Sequence, residues 1–267
     1  MFPHRRNFTV FLYSDYPSDA LHIETIRDYL KKIGINSEYR GNYYKFLGIT
    51  GDELKEVSVK LSSIHISDIE KENEYFVTDN LKIESETDII TNLKPPDINT
   101  LYEGRLLSSI LFSPLIRKIP EMLKESDIHI VFTSRLFCTF GDRRYHARVV
   151  LTGIPALIST SGVVEAPAKP REYYWLKASF IQSGRDMEEL DNMFRDRFVN
   201  YDDPMLTDIL YSYTLQVIFY HMTGESFCKN KNCCLYNSHW QEEVLSIQFI
   251  GELCKNHSEI IKKYWAS

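Results

Sequence analysis

The chain has 267 residues, 43% hydrophobic and 25% charged, the balance of an ordinary globular protein able to bury a sizeable core. A net charge of -6 at pH 7 argues against a dedicated nucleic-acid binder, and no apolar run approaches the roughly 18–20 residues of a membrane span. The five cysteines are sparse, yet four of them fall in the last 40 residues.

The opening segment, MFPHRRNFTVFLYSD, starts basic and enters an apolar run too short for a signal-peptide core, interrupted by Tyr13 and Ser14 before Asp15. Cytoplasmic residence is therefore expected, and thiols there stay reduced and available to metal. Residues 8–13 read as a buried strand. Helical periodicity follows over 19–33 (Ala20, Ile23, Ile26, Leu30, Ile33), Gly34 ends it, and 35–41 reads as a more exposed strand. This β-α-β order favours an α/β sheet. Residues 50–95 are acidic and mixed, with one helix expected over 53–63 and short strands near 75 and 88. Pro95 and Pro96 then precede a long helix over 98–124, expected to break near Pro114 and Pro120.

Residues 128–140, IHIVFTSRLFCTF, are β-branched and aromatic and suit one central strand. GDRRY makes a turn, and HARVVLTG and ALISTSGVVEA read as one or two further strands. EAPAKPREYYW (165–175) is punctuated by proline. A helix over 185–198 leads into an amphipathic helix over 204–222. Asp202 and Asp203 are its expected caps, and Pro204 suits the first helical position. Leu206, Ile209, Leu210, Tyr213, Val217 and Tyr220 mark one buried face, and Gly224 is the stop. With no internal repeat and no low-complexity linker, a single α/β domain is expected. Its parts are an α/β segment (1–125), the sheet and motif helix (126–223), and a C-terminal extension (224–267).

Directly behind that helix stand Cys228, Cys233, Cys254 and His257, spaced C-x4-C, a 20-residue gap, and C-x2-H. In a chain without signs of secretion, such clustering points to one structural zinc ion before disulfides. The alternative is scattered buried thiols beside a surface histidine. Cys234 would make C-x5-C and could replace Cys233.

His221 admits two interpretations. It is a core histidine at a helix end, where the dipole favours its charged form, or a metal ligand joined by His146 or His239 and a carboxylate from Glu225, Glu242 or Glu243. Arg143, Arg144 and Arg148 in GDRRYHAR form either a solvated hairpin turn or an anion grip, with Lys169 and Arg171 able to join. Ser159, Thr160 and Ser161 are weak nucleophiles, since no base is placed beside them. YNSHWQEE (236–243) reads as a helix start capped by Asn237 or Ser238.

VIFYHMTGESFCKNKNCCL (217–235) resembles the active helix of archaemetzincins, zinc metallopeptidases with His-Glu-x-x-His-x-x-Gly-x-x-His-Cys-x4-Cys-x-Met and a later Cys-x2-Cys. His221, Gly224, Cys228 and Cys233 fall on that pattern, and Cys254 and His257 resemble its closing pair. The similarity covers about 45 residues. Val217 and Ile218 stand where the first histidine and the glutamate would be, Phe227 replaces the third histidine, and Leu235 replaces the methionine. YHARVVLTGIPALISTSGVVEAPAKPREYYWLK and the 220–243 segment more closely resemble an archaeal family assigned as metallopeptidases by ancestry, with a degenerate HExxH motif.

The resemblance implies a metzincin-like α/β domain with a mixed sheet, a long motif helix and a zinc-closed C-terminal extension. One histidine cannot hold the parental catalytic zinc, and Ile218 cannot act as its general base. The expected function is a zinc-binding relative of the peptidases that binds a peptide or protein partner without cleaving it. No nucleic acid or membrane partner is expected. The alternative is a metal-dependent hydrolase rebuilt around His221, with Glu225 as a further catalytic candidate.

Overall fold

The structure, a computed structural model, describes residues 8–123 and 127–265. The basic start and the end of the helix expected over 98–124 lie partly outside them. The chain opens with β1 (Val10–Ser14), α1 (Ile23–Lys32), β2 (Ser37–Asn42), α2 (Tyr43–Phe46), α3 (Gly51–Ser62) and α4 (Asn80–Asn92). It continues with β3 (Leu101–Glu103), α5 (Gly104–Lys118), β4 (Ile128–Thr133), β5 (Leu136–Gly141), β6 (Arg144–Ala147), β7 (Val150–Leu151), β8 (Ala156–Ser159) and α6 (Thr160–Glu165). The C-terminal third holds α7 (Arg171–Ser183), α8 (Met187–Met193), α9 (Leu206–Thr223), α10 (Gln241–Glu243) and α11 (Lys255–Trp265).

Five strands form a sheet in the order β2-β1-β4-β8-β7, parallel except for β7, which runs antiparallel to β8. A second sheet, β3-β5-β6, is likewise mixed. The α/β class with a mixed sheet is as expected. Alternate residues of the central strands enter different cores, as the two-residue period of a strand requires. Val10, Leu12, Ile130, Phe132 and Ile158 pack with α1, α9 and residues 233–261. Phe11, Tyr13, Val131 and Leu157 face the other way, onto the Tyr43–Tyr44 pair, α3, α5 and Phe137. Burial on both faces is why these strands read as continuous apolar runs.

Several expectations change. Near residue 88 there is a helix, not a strand: the Asp79 carboxylate caps α4 by accepting from the Lys82 N–H, and Glu86, Ile89 and Ile90 are buried at three- and four-residue steps. The helix expected from 98 begins at Gly104, because Leu101–Glu103 pairs with β5. Pro114 lies inside α5 without ending it. The 128–140 run is two strands in two different sheets, divided at Ser134–Arg135. Ser159 ends β8 and accepts from the Gly162 N–H at 2.8 Å, turning the expected strand into α6. These serines therefore serve as caps and anchors: Ser161 Oγ donates to the Ser134 carbonyl at 2.7 Å. α7 follows the proline-punctuated stretch, where no helix is anticipated, and has its own small core with Leu190, Phe194 and Phe198.

The motif helix α9 departs from one-sided amphipathicity. Thr207, Ser212, Thr214 and Gln216 are buried along with the apolar positions, whereas Tyr220 is 46% exposed. Its N-cap is Met205 rather than Asp202 or Asp203, and Pro204 precedes it. Asp203 still contributes, accepting from the Met205 N–H at 3.0 Å. Gly224 ends the helix with φ +81°, a backbone conformation natural to glycine. Among the described residues, no helix is long and apolar enough to cross a membrane.

Candidate metal centre and adjoining cleft

The turn after α9 is built to present sulfur. Cys228 donates its N–H to the Leu235 carbonyl at 2.9 Å, and the Cys233 N–H reaches Asn230 O at 3.1 Å, closing a compact loop. The Asn230 N–H points at Cys228 Sγ at 3.3 Å, and the Cys254 N–H at Cys233 Sγ at 3.4 Å. Amides directed at sulfur favour thiolate over thiol and orient it. Cys254 immediately precedes α11, whose first turn carries His257. Phe219 of α9 sets that imidazole edge-on, with ring centroids 4.9 Å apart and planes at 89°.

The ligand atoms of Cys228, Cys233, Cys254 and His257 lie within 4.8 Å of one another. His257 Nδ1 is 3.1 Å from Cys254 Sγ and 3.7 Å from Cys233 Sγ. A tetrahedral zinc site with Zn–S near 2.3 Å places its donors about 3.8 Å apart, so the donor chemistry and spacing fit one zinc ion. The neighbouring Cys234 thiol is the largest cause that holds Cys233 down to about 4, and backbone N–H groups of Cys254 and Leu235 add to it. Burial pushes Cys228 up to about 11. Cys234 stays outside the group, buried in the core behind α9, so Cys233 and not Cys234 faces the other three donors.

Among the described residues, this is where three or more such ligands converge, and His221 is not among them. His221 instead lines a cavity of about 330 Å³ with Phe8, Val217 and Tyr264, its ring edge-on to Phe8 at 5.7 Å. Val217 is 3% exposed, and Ile218 is fully buried in the core between α9 and the sheet. Three of the five candidate partners of His221 are engaged elsewhere. His146 bonds the Gly141 carbonyl at 2.9 Å, Glu242 pairs with Arg197 at 2.6 Å, and Glu243 caps α10 by accepting from the His239 and Trp240 N–H groups. That last bond replaces the caps expected from Asn237 or Ser238.

Next to this cavity runs a larger cleft of about 760 Å³, between β7 and the end of α9. Tyr220, Gly224 and Thr152 border both. Glu225 and Phe227 line the larger cleft, so Glu225 and His221 open onto different cavities. The arginines divide as well. Asp142 and Arg143 take positive φ at the tip of the β5–β6 hairpin, with Arg144 exposed beside them, whereas Arg148 lines the cleft with Arg105. Lys169 binds Asp191 at 3.3 Å and Arg171 lies over Trp240, so neither joins the hairpin tip.

One buried constellation escapes sequence reasoning. Arg135 is fully buried, bonded to Asp15 at 2.6 Å and to Glu86 at 2.8 Å. Glu86 also accepts from Tyr102 at 2.7 Å and lies 2.9 Å from His65 Nε2. Burial pushes Glu86 up, but Arg135, His65 and Tyr102 outweigh it and bring its carboxyl down to about 2. At Asp15 burial prevails over Arg135 and Thr133, leaving the carboxyl above its ordinary value. The available signal was a charged residue, Arg135, inside an otherwise apolar run.

Two solved structures resemble the chain at low sequence identity. The archaemetzincin of Methanopyrus kandleri is 10% identical, with all of both chains covered and a TM-score of 0.43. A zinc-dependent peptidase of Methanocorpusculum labreanum (strain Z) is 11% identical, with 94% of this chain and 98% of that one covered and a TM-score of 0.47. No curated protein matches the chain. The model of the Probable metallopeptidase family (DUF6775) matches residues 6–264, nearly the whole sequence, and the chain belongs to that family.

Proposed function

We propose that this protein is a zinc-stabilised, metallopeptidase-related binding protein of the cytoplasm. Its Cys228, Cys233, Cys254 and His257 would hold one structural ion, and its cleft would hold an extended peptide without cleaving it. The observation that carries this reading is a contrast within 40 residues of chain. Four soft donors converge behind α9, while the positions resembling the parental histidine and glutamate, Val217 and Ile218, are buried apolar side chains. A group of four thiol and imidazole donors closes a tetrahedron and leaves no position for a reacting water, which suits a structural rather than a catalytic ion. β7 is an edge strand bordering the cleft, and a peptide could add to it as a further strand without a catalytic base.

The test is metal content by mass spectrometry on protein purified without added metal, combined with cleavage assays on mixed peptide pools. One zinc per chain, no cleavage and retained peptide capture agree with the proposal. A second metal lost in His221→Ala, together with chelator-sensitive cleavage, would replace it with the rebuilt-hydrolase alternative.

A further inference from the structure

We infer that the cleft selects peptides carrying an acidic side chain, read by Arg148 and Arg105. This rests on the peptide-binding reading above and adds the chemistry of the ligand.

Arg148 is exposed but firmly anchored. Its N–H donates to Phe137 O at 3.0 Å, and its Nε donates to Thr139 Oγ1 at 2.8 Å. Its carbonyl sits so close to α6 that a Cβ on Gly162 would lie 2.3 Å from it, so only glycine fits there. With Nε occupied, the terminal edge of the guanidinium remains for a ligand. Among the described residues, no carboxylate lies within ion-pair distance of Arg148 or of Arg105. Other arginines of this acidic chain, such as Arg117, Arg185 and Arg197, are paired. Arg105, in the first turn of α5, enters the same cleft.

A planar, pre-positioned guanidinium edge matches a carboxylate with two parallel hydrogen bonds. A peptide running along β7 at Val150–Leu151 passes Arg148 two residues before Val150, so the matching carboxylate belongs to an internal Asp or Glu side chain. Glu225, on the α9 side of the cleft, opposes anions there and would repel an acidic residue placed at the other end of the peptide.

The experiment uses the full-length zinc-loaded protein and pools of ten-residue peptides, acetylated and amidated, with one central position fixed as Glu, Gln or Lys. Capture is read as enrichment of each pool. The expected result is about tenfold enrichment of the Glu pool over the Gln pool at low salt. That preference should be lost in Arg105→Gln/Arg148→Gln and should fade as salt is raised. If the double variant fails to fold, Arg105→Glu carries the same expectation, with the preference moved toward the Lys pool. Equal capture of all pools would overturn this inference and leave the peptide-binding reading intact. Absence of any capture would overturn both. Enrichment seen only with a free C-terminal carboxylate, and not with internal Glu, would also overturn the assignment to an acidic side chain.

Discussion

The Cys/His group behind α9 and the Asp15–Arg135–Glu86 network both tie together segments distant in sequence, yet by opposite physical means. In the network, the guanidinium bridges two carboxylates, and side-chain donors from Tyr102, His65 and Thr133 also bond to those carboxylates. Its interactions are supplied within the chain. The metal centre gathers three sulfurs and an imidazole nitrogen, Cys233 buried and the other three half-buried, a set that offers donors to an ion from outside. The difference teaches that one region's stability rests on charges the chain itself carries, while the other's also answers to the supply of metal.

The largest expected effect is at Arg135. Arg135→Gln leaves two carboxylates buried without their shared cation and should cost about 3–5 kcal/mol. Urea unfolding would show it as a lower midpoint, and an unchanged midpoint would mean that water already screens the network. The metal centre should respond less, and conditionally. Free zinc a hundredfold above its Kd stabilises by about 2.7 kcal/mol, so a chelator should lower the melting temperature of the native chain and leave Cys228→Ser unmoved. Equal shifts in both proteins would break the comparison.

Within the network, the two carboxylates respond to pH in opposite directions. The folded Glu86 carboxyl titrates near 2, below its ordinary 4.5, so its stabilising contribution is present above about 4.5 and lost as pH falls through 2. Asp15, raised above its ordinary value, works in the other direction: it weakens the fold once pH rises past the unfolded value of 3.8. Glu86→Gln should therefore flatten the acid limb of stability between about 4.5 and 2, measured by urea midpoints across pH. A limb identical to that of the native chain would assign acid unfolding to other carboxylates. The smallest effect is reserved for Cys234. Cys234→Ala removes a buried thiol from the core but none of the four converging donors. It should keep one zinc per chain, with at most about 1–2 kcal/mol lost. Loss of zinc would show that Cys234, not Cys233, completes the group.

The sequence by itself determined the α/β class, the stop of α9 at Gly224 and the chemistry of the Cys/His group. These depend on local signals: alternation of apolar residues, the conformational freedom of glycine, and ligands whose chemistry is rare enough to stand out at any spacing. Tertiary structure decided the rest. It split residues 128–140 between two sheets, with Arg135 at the break and buried beside Asp15 and Glu86. It made α4 a helix, seating Glu86 to meet that arginine. It also sent His221 and Glu225 to separate cavities and brought Arg148 and Arg105, 43 positions apart in the chain, to the lining of one cleft. Periodicity reports which face of an element is buried. It does not report which distant charge waits on that face, because burying a charge is favourable only once its partner is in place.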